Sequence, residues 1–394
     1  MGFYQDTLQW LFGRQNVTIG RIAAVGIGGA GGNAIDTISE EGISGVDLIS
    51  INTDSQALAS SRADTCLQVG TEETGGLGAG ADPEVGAMAA ENSREEIRRL
   101  LEPYDMVIIT AGMGGGTGTG AAPIVSSIAQ EMDILTVGIA TRPFSCEGRP
   151  RMETAEEGIE RLRTHTDTLI LIPNDRLLDL TSERASLKEA FRIADEVLCN
   201  AARGIVEIIT CEGLVNLDFA DVERTMEDGG TGMLGMSTQL GRPRPPTTNA
   251  TESDTPPSSV QGDRALKTQL EAAAVEAISS PLFDGYSIEG ADNVLVNVTV
   301  GESLGFRDIM SAVEVVQSKA GNDSEVLFGA VVDEQLDEHF RVTVIATGVD
   351  ETAPGIPAGS YSEVGTQSDQ DPPQKREKRS ASDWNQEKRN GNAE

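Results

Sequence analysis

The sequence predicts an α/β fold: a Rossmann-like nucleotide domain with a mostly parallel sheet, a long central helix, and a smaller α+β C-terminal domain. Three observations carry this reading. Two glycine-rich turns, at 26–33 and 114–120, each follow an apolar run and lead into a helical pattern. Several of the apolar runs are continuous rather than alternating, as strands covered on both faces are. Residues 187–210 then repeat apolar side chains, Ala190, Ile193, Ala194, Val197, Leu198, Ala201, Ile205 and Ile208, at helical spacing.

In chain order, residues 1–19 are expected to be an N-terminal extension in which Phe3, Tyr4, Leu8, Leu11 and Phe12 could form one apolar face of a short helix. Packing on its own domain is the expected use of that face, a partner or membrane contact the other reading. The nucleotide domain, 20–186, opens with a strand at 21–26, the first glycine turn, and a helix carrying Ala34, Ile35 and Ile38. A strand at 46–51 ends in Asn52-Thr53-Asp54, and a glycine-rich loop follows at 75–80. One helix is expected over 83–101, with Val85, Met88, Ala89, Ile97 and Leu101 on its packed face. Next come a strand at 106–111, the second glycine turn, a helix near 121–131, a strand at 134–140, a helix at 152–164 and a strand at 168–173. The central helix and the loop after it fill 187–221. The C-terminal domain, 222–349, is expected to hold helices at 220–228, 264–278 and 306–319 and strands at 293–300, 324–332 and 340–348. Residues 237–262, with Arg242-Pro243-Arg244-Pro245-Pro246-Thr247 and almost no apolar content, read as a disordered insertion, and 350–394 as an unfolded tail.

Composition narrows the function. Acidic residues outnumber basic ones 63 to 30, for a formal charge of −33, and only six of the basic residues are lysines. Such a surface repels nucleic acid and anionic membrane. Because the excess runs along the whole chain, it reads as adaptation to a salt-rich cytoplasm, where screening relieves self-repulsion. Cys66, Cys146, Cys199 and Cys211 are scattered without metal-ligand spacing, and His165 and His339 are the only histidines. Disulfide frameworks, structural zinc and histidine-based catalysis are disfavoured, so no metal site is assigned to side chains. No apolar run approaches the ~18 residues of a spanning helix and no signal-peptide pattern opens the chain, so a cytoplasmic protein without a transmembrane segment is expected.

Glycine at five of the seven positions 114–120 points to a need for bare backbone. Consecutive backbone N–H groups curl around an anion there, the following helix N-terminus adds partial positive charge, and Thr117 and Thr119 offer hydroxyl donors. Gly26-Ile27-Gly28-Gly29-Ala30-Gly31 also satisfies the dinucleotide pattern, so a nicotinamide-dependent oxidoreductase is the rival reading. A dinucleotide fold uses one such turn and leaves the second unexplained. Two cradles suggest one polyphosphate held from both sides. A P-loop is disfavoured, since no Gly-Lys-Ser/Thr follows either cluster.

The run at 114–120 within Ala111-Gly112-Met113, the loop from Gly28 to Asn33, Asn52-Thr53-Asp54, Pro143-Phe144 with Glu147, and Asn216-Leu217-Asp218-Phe219-Ala220-Asp221-Val222 together resemble the tubulin/FtsZ superfamily, specifically FtsZ, the prokaryotic division GTPase. The resemblance spans about residues 20–349 apart from the insertion. It implies the tubulin/FtsZ fold and binding of GTP and GDP. By similarity, Gly29, Ala30, Gly31, Gly32 and Asn33 wrap the phosphates from one side. Gly114, Gly115, Gly116, Thr117, Gly118, Thr119 and Gly120 wrap them from the other. Glu147 and Arg151 look like ribose contacts, Phe191 like the stacking partner of the base, and Asn174 and Asp195 like readers of its edge. A carboxylate at Asp195 accepts from guanine's N1–H and amino group, which adenine cannot match, although a solvated helix residue is the plainer reading of the same aspartate.

Asn216, Asp218 and Asp221 follow the long helix, at the end away from the glycine loops. In FtsZ such a loop enters the GTP site of the next subunit, so the resemblance implies a head-to-tail homopolymer, assembly-dependent hydrolysis to GDP and phosphate, and Mg2+ or K+ arriving with the nucleotide. The plain reading of Asp218 is an N-cap for the next helix, and one residue can serve both purposes. A division ring at midcell in a halophilic archaeon is the expected setting, with a tubulin-like paralogue of cell-shape or scaffold role as the alternative. The Pro-rich insertion departs from the family pattern. So does the tail, where Trp384 is the one large apolar anchor near the basic pairs Lys375-Arg376 and Lys378-Arg379; binding of division-ring or membrane-adaptor proteins falls to it or to the N-terminal segment.

Overall fold

The computed structural model describes residues 20–180, 186–210, 215, 217–239, 259–301, 306–333, 336 and 340–349. The N-terminal extension 1–19, the 350–394 tail, Asn216 and residues 240–258 of the expected insertion lie outside these residues.

Strand β1 (Ile22–Ile27) runs into α1 (Gly28–Glu40), β2 (Asp47–Asn52) into α2 (Ser55–Ser60), and β3 (Thr65–Gln68) into the single turn α3 (Thr71–Thr74). Then come α4 (Pro83–Asn92), α5 (Arg94–Leu101), β4 (Met106–Gly112), α6 (Thr117–Gln130), β5 (Leu135–Arg142), α7 (Arg149–Arg163), β6 (Thr168–Pro173) and α8 (Asn174–Leu177). The central helix α9 (Leu187–Thr210) leads to α10 (Phe219–Met226), β7 (Gly230–Gln239), α11 (Ser259–Ile278), β8 (Asn293–Val300), α12 (Phe306–Ala320), β9 (Glu325–Val332) and β10 (Phe340–Thr347).

These strands form a continuous sheet in the order β3-β2-β1-β4-β5-β6-β7-β10-β8-β9. Pairing is parallel from β3 through β6. The continuous apolar character of β1 has a direct cause, because its successive residues feed opposite cores. Ile22 and Ala24 pack with Val197, Leu198 and Ala201 of α9, whereas Ala23, Val25 and Ile27 pack with Val125 and Ile128 of α6 and Ile159 of α7. Each large aliphatic side chain removed from water in this way contributes about 1.5–3 kcal/mol, so strand and helices hold one another.

Strand β7 joins the two halves. Its first residues run parallel to β6, from Gly230 opposite Thr168 to Gly232 opposite Ile170, and from Met233 to Gln239 it runs antiparallel to β10. This corrects two expectations. The C-terminal part has four strands rather than three, and Ser237, Thr238 and Gln239 belong to β7 instead of the insertion, while α11 already begins at Ser259. The glycines and polar residues of β7 hid it from a pattern search. Gly235 is required by close packing, since a Cβ there would lie 2.1 Å from the Ala277 carbonyl of α11.

The helix expected over 83–101 is two helices, broken at Ser93. Met88, assigned to the packed face, is 50% exposed. Small residues set that face instead: a Cβ on Gly86 would sit 2.4 Å from the Gly116 carbonyl, and Ala89 and Ala90 are fully buried. The short edge strand β3, with two exposed residues among its four, was not expected at all.

Central helix α9 is tied to both halves by polar contacts as well as its apolar face. Arg203 pairs with Glu41 beyond α1, and Glu207 accepts hydrogen bonds from Asn297 and Thr299 of β8, both at 3.0 Å.

Candidate nucleotide-binding site

Helices α1 and α6 start side by side at the C-terminal ends of β1 and β4. Gly28 adopts φ +73° and Gly114 φ +90°, left-handed turns that a side chain would strain. Most other glycines in the two turns are fixed by contact. A Cβ on Gly26 would lie 2.3 Å from the Gly31 carbonyl, on Gly31 2.3 Å from the Thr110 carbonyl, and on Gly118 2.5 Å from the Gly112 carbonyl. The turns also touch each other, since a Cβ on Gly28 would come within 2.8 Å of the Gly118 nitrogen. Two glycines break this pattern: Gly29 and Gly115 have nothing within 4 Å of a built Cβ. A cradle with bare backbone on both sides therefore opens between two helix N-termini, whose partial positive charges suit a polyphosphate.

The second turn begins its helix earlier than its composition suggests, at Thr117 instead of about 121. Glycine costs about 1 kcal/mol per position in a helix, but at Gly120 a Cβ would lie 2.0 Å from the Pro83 carbonyl, so no other residue fits. The two threonines differ as well. Thr119 is 2% exposed and its hydroxyl accepts the Gly114 N–H at 2.9 Å, so it closes the turn from within. Thr117 is half-buried at the first position of α6.

Beyond β5, Glu147 accepts the Phe144 N–H at 2.8 Å and pairs with Arg151 at 3.1 Å, which leaves the more exposed guanidinium at the rim. Phe191 of α9 meets Phe144 edge to face, ring centroids 5.3 Å apart, and stays 38% exposed. Asn174 is 5% exposed, yet its Oδ1 has no hydrogen-bond partner. An unpaired buried carbonyl is costly, and one at the end of a parallel strand is paired when a ligand donates to it. Asp195 is pushed up to about 6, chiefly by burial, with the amide of Asn33 pulling the other way and Glu196 adding to the rise. The side chain of Asn33 thus stands with Asp195, donating at 3.4 Å, although sequence reasoning grouped it with the phosphate loop.

Asp218 and Asp221 are elsewhere. Asp218 caps α10, accepting the Asp221 N–H at 2.9 Å, and Asp221 pairs with Arg224 at 3.4 Å. Phe219 packs on Gly20, just before β1, whereas the glycine turn follows the other end of that strand. The 24 residues of α9 span about 36 Å between the Phe191 end and this one. The aspartates and the glycine cradle occupy opposite edges of the sheet. Among the described residues, no group of three or more His, Cys, Asp or Glu side chains is placed to hold a metal, and no helix is long and apolar enough to cross a membrane.

Residues 21–182 match the GTPase domain of the Tubulin/FtsZ family, and residues 260–350 the FtsZ family C-terminal domain. A solved FtsZ dimer from M. jannaschii, described as empty, is 39% identical, with TM-score 0.76 over 88% of this chain and 92% of that one. Two proteins from Haloferax volcanii share the fold: CetZ2, as a GTPγS-bound protofilament (21% identity, TM-score 0.65, 84% of this chain and 94% of that one), and CetZ1, as a GDP-bound monomer (20%, 0.68, 84% and 95%).

Proposed function

The chain belongs to the tubulin/FtsZ family and is a GTPase of that family, and from this premise we propose that it is an FtsZ-type division protein that polymerises head to tail and hydrolyses GTP between subunits. The observation that carries the proposal is the placement of Asp218 and Asp221 across the sheet from the cradle. A single chain holds half a hydrolase, and an interface between unlike faces continues as a filament unless a rotation closes it. That relatives have been solved as a dimer and a protofilament supports assembly.

In this reading the polyphosphate lies over Gly29 to Asn33 and Gly114 to Gly120, and the open positions Gly29 and Gly115 admit it most closely. Glu147 and Arg151 hold the ribose, Phe191 covers the base, and Asn174 and Asp195 read its edge. The carbonyl of Asn174 accepts one hydrogen bond from the base, and ionised Asp195 accepts two, the pattern that guanine's N1–H and amino group offer. A neighbour's Asp218 and Asp221, with Asn216 two positions before Asp218 in the sequence, orient water for in-line attack on the γ-phosphorus, giving GDP and phosphate. A cation, Mg2+ or K+, enters with the phosphates.

GTPase rate per molecule against protein concentration, in molar KCl to match the acidic surface, is the direct test. A rate that rises above a threshold concentration supports the shared site, and a rate independent of concentration overturns it. Assignment to the division ring at midcell rests on 39% identity to an FtsZ. A tubulin-like paralogue with a scaffold role would share the same chemistry, and the fold likeness to CetZ1 and CetZ2 keeps that reading open. Imaging the tagged protein while it is depleted separates the two: division stops in the first case and continues in the second.

A further inference from the structure

We propose that Thr53 is a positioning residue for nucleotide binding, whose hydroxyl donates a hydrogen bond to the Thr117 hydroxyl and thereby turns the Thr117 proton outward, committed to a phosphate. The two Oγ1 atoms lie 2.7 Å apart, joining the residue after β2 to the first residue of α6. A pair of hydroxyls at this distance shares one hydrogen bond, so one of the two protons is spare. Burial decides which. Thr53 is 0% exposed, and its hydroxyl has no other acceptor among the described residues, so a proton not given to Thr117 would be buried unpaired. Thr117, half-buried at the mouth of the cradle, keeps the spare proton and aims it away from Thr53.

The consequence is chemical. A phosphate oxygen accepts and never donates, so a hydroxyl facing it must present its proton, and a hydroxyl free to rotate loses part of its affinity to that choice. Accepting from Thr53 removes the choice and polarises the Thr117 O–H toward the anion. The backbone holds Thr53 in place as well: its carbonyl accepts from the Thr74 hydroxyl at 3.3 Å, and Asp54 caps α2 beside it.

This inference rests on Thr117 being a phosphate contact, and the experiment separates the two claims. GTP and GDP affinities are measured by calorimetry for full-length wild type, T53V, T53S, T117V and T53V/T117V. T53V is expected to weaken both nucleotides roughly fivefold, the size of one net hydrogen bond, while T53S, which keeps the hydroxyl, stays within about twofold of wild type. In the T117V background, T53V should cost nothing further, because its effect passes through the missing hydroxyl. An equal loss for T53S and T53V, or a further loss from T53V in the T117V background, overturns the proposal in favour of a packing role. Wild-type affinity in T117V refutes the phosphate contact itself, and wild-type affinity in T53V with a weakened T117V refutes only the relay. Guanosine binding, which has no phosphate, is expected to be unchanged in T53V; a parallel fall there also overturns the relay.

Discussion

The amide of Asn33 donates to Asp195 Oδ2 at 3.4 Å, so the end of the first glycine turn is tied to the central helix at the carboxylate proposed to read the base. The two residues lie 162 positions apart. The contact means that the first glycine turn and the Asp195 carboxyl are set by one polar junction, and the burial of Asp195 gives that junction a pH dependence.

Burial lifts the Asp195 carboxyl from its ordinary value of 3.8 to about 6. Because the folded pKa is raised, this group favours the nucleotide-free fold most below its unfolded pKa, and that contribution is lost as pH rises through about 6. Guanine needs the ionised form, so its binding runs the other way. GTP affinity is expected to fall as pH drops from 7 to 5, by up to about tenfold per unit below 6, with proton release on binding in that range. Calorimetry in buffers of different ionisation enthalpy measures it. In Asp195→Asn the dependence should vanish together with most of the affinity; a dependence that survives assigns it to another group.

The unpaired Oδ1 of Asn174 makes an asymmetric prediction. Asn174→Ala removes a buried acceptor that nothing satisfies in the nucleotide-free chain, so its thermal stability should change by no more than about 1 kcal/mol. GTP affinity should drop at least about tenfold, because the base then loses its acceptor. Melting curves with and without GTP read both effects, and equal losses in the two would place the role of Asn174 in the fold.

Glycines of the second turn should separate by function. Gly115→Ala has open space and is expected to leave the melting temperature unchanged while weakening GTP binding. Gly120→Ala drives a methyl against the Pro83 carbonyl and should destabilise the apo protein by about 1–3 kcal/mol. The same melting-curve and binding pair, run on each variant, decides the matter; reversed behaviour would mean that Gly115 is structural.

Asp218 both caps α10 and is proposed to act on a neighbour's nucleotide. Asp218→Asn keeps the cap, since asparagine caps as well as aspartate, and removes the charge. Hydrolysis should fall at least tenfold with GTP binding and stability near wild type, the scale of a positioned acid/base group. Mixing Asp218→Asn with a cradle variant, Thr117→Ala, should restore part of the turnover, because half of the mixed junctions pair an intact loop with an intact cradle and the other half pair neither. Co-assembly of the two variants without any return of activity would count against the shared site.

The local signals in the chain were strong where chemistry and backbone demand coincide. The apolar runs of β1, β4, β5 and β6, the amphipathic stretch of α9 and both glycine turns were legible because each needs a residue type that its neighbours in sequence reveal. Features set by distant neighbours were not. Ser93 breaks a continuous helical pattern, and β7 carries too many glycines to read as a strand until its two partners are known. Thr119 and Thr117 look equivalent in Gly-Thr-Gly-Thr-Gly, and only the Gly114 N–H and the Thr53 hydroxyl tell them apart.

By itself the sequence determined the fold class, the family and the presence of two glycine-rich turns, since strand runs, helix periodicity and bare-backbone turns are local properties written in consecutive residues. Tertiary structure alone decided which glycines pack and which stay open, and that Asn33 stands beside Asp195 and Thr53 beside Thr117. Those are relations between segments far apart in the chain. Their geometry is fixed only when both faces of the sheet are buried and every polar group enclosed with them has to find its partner.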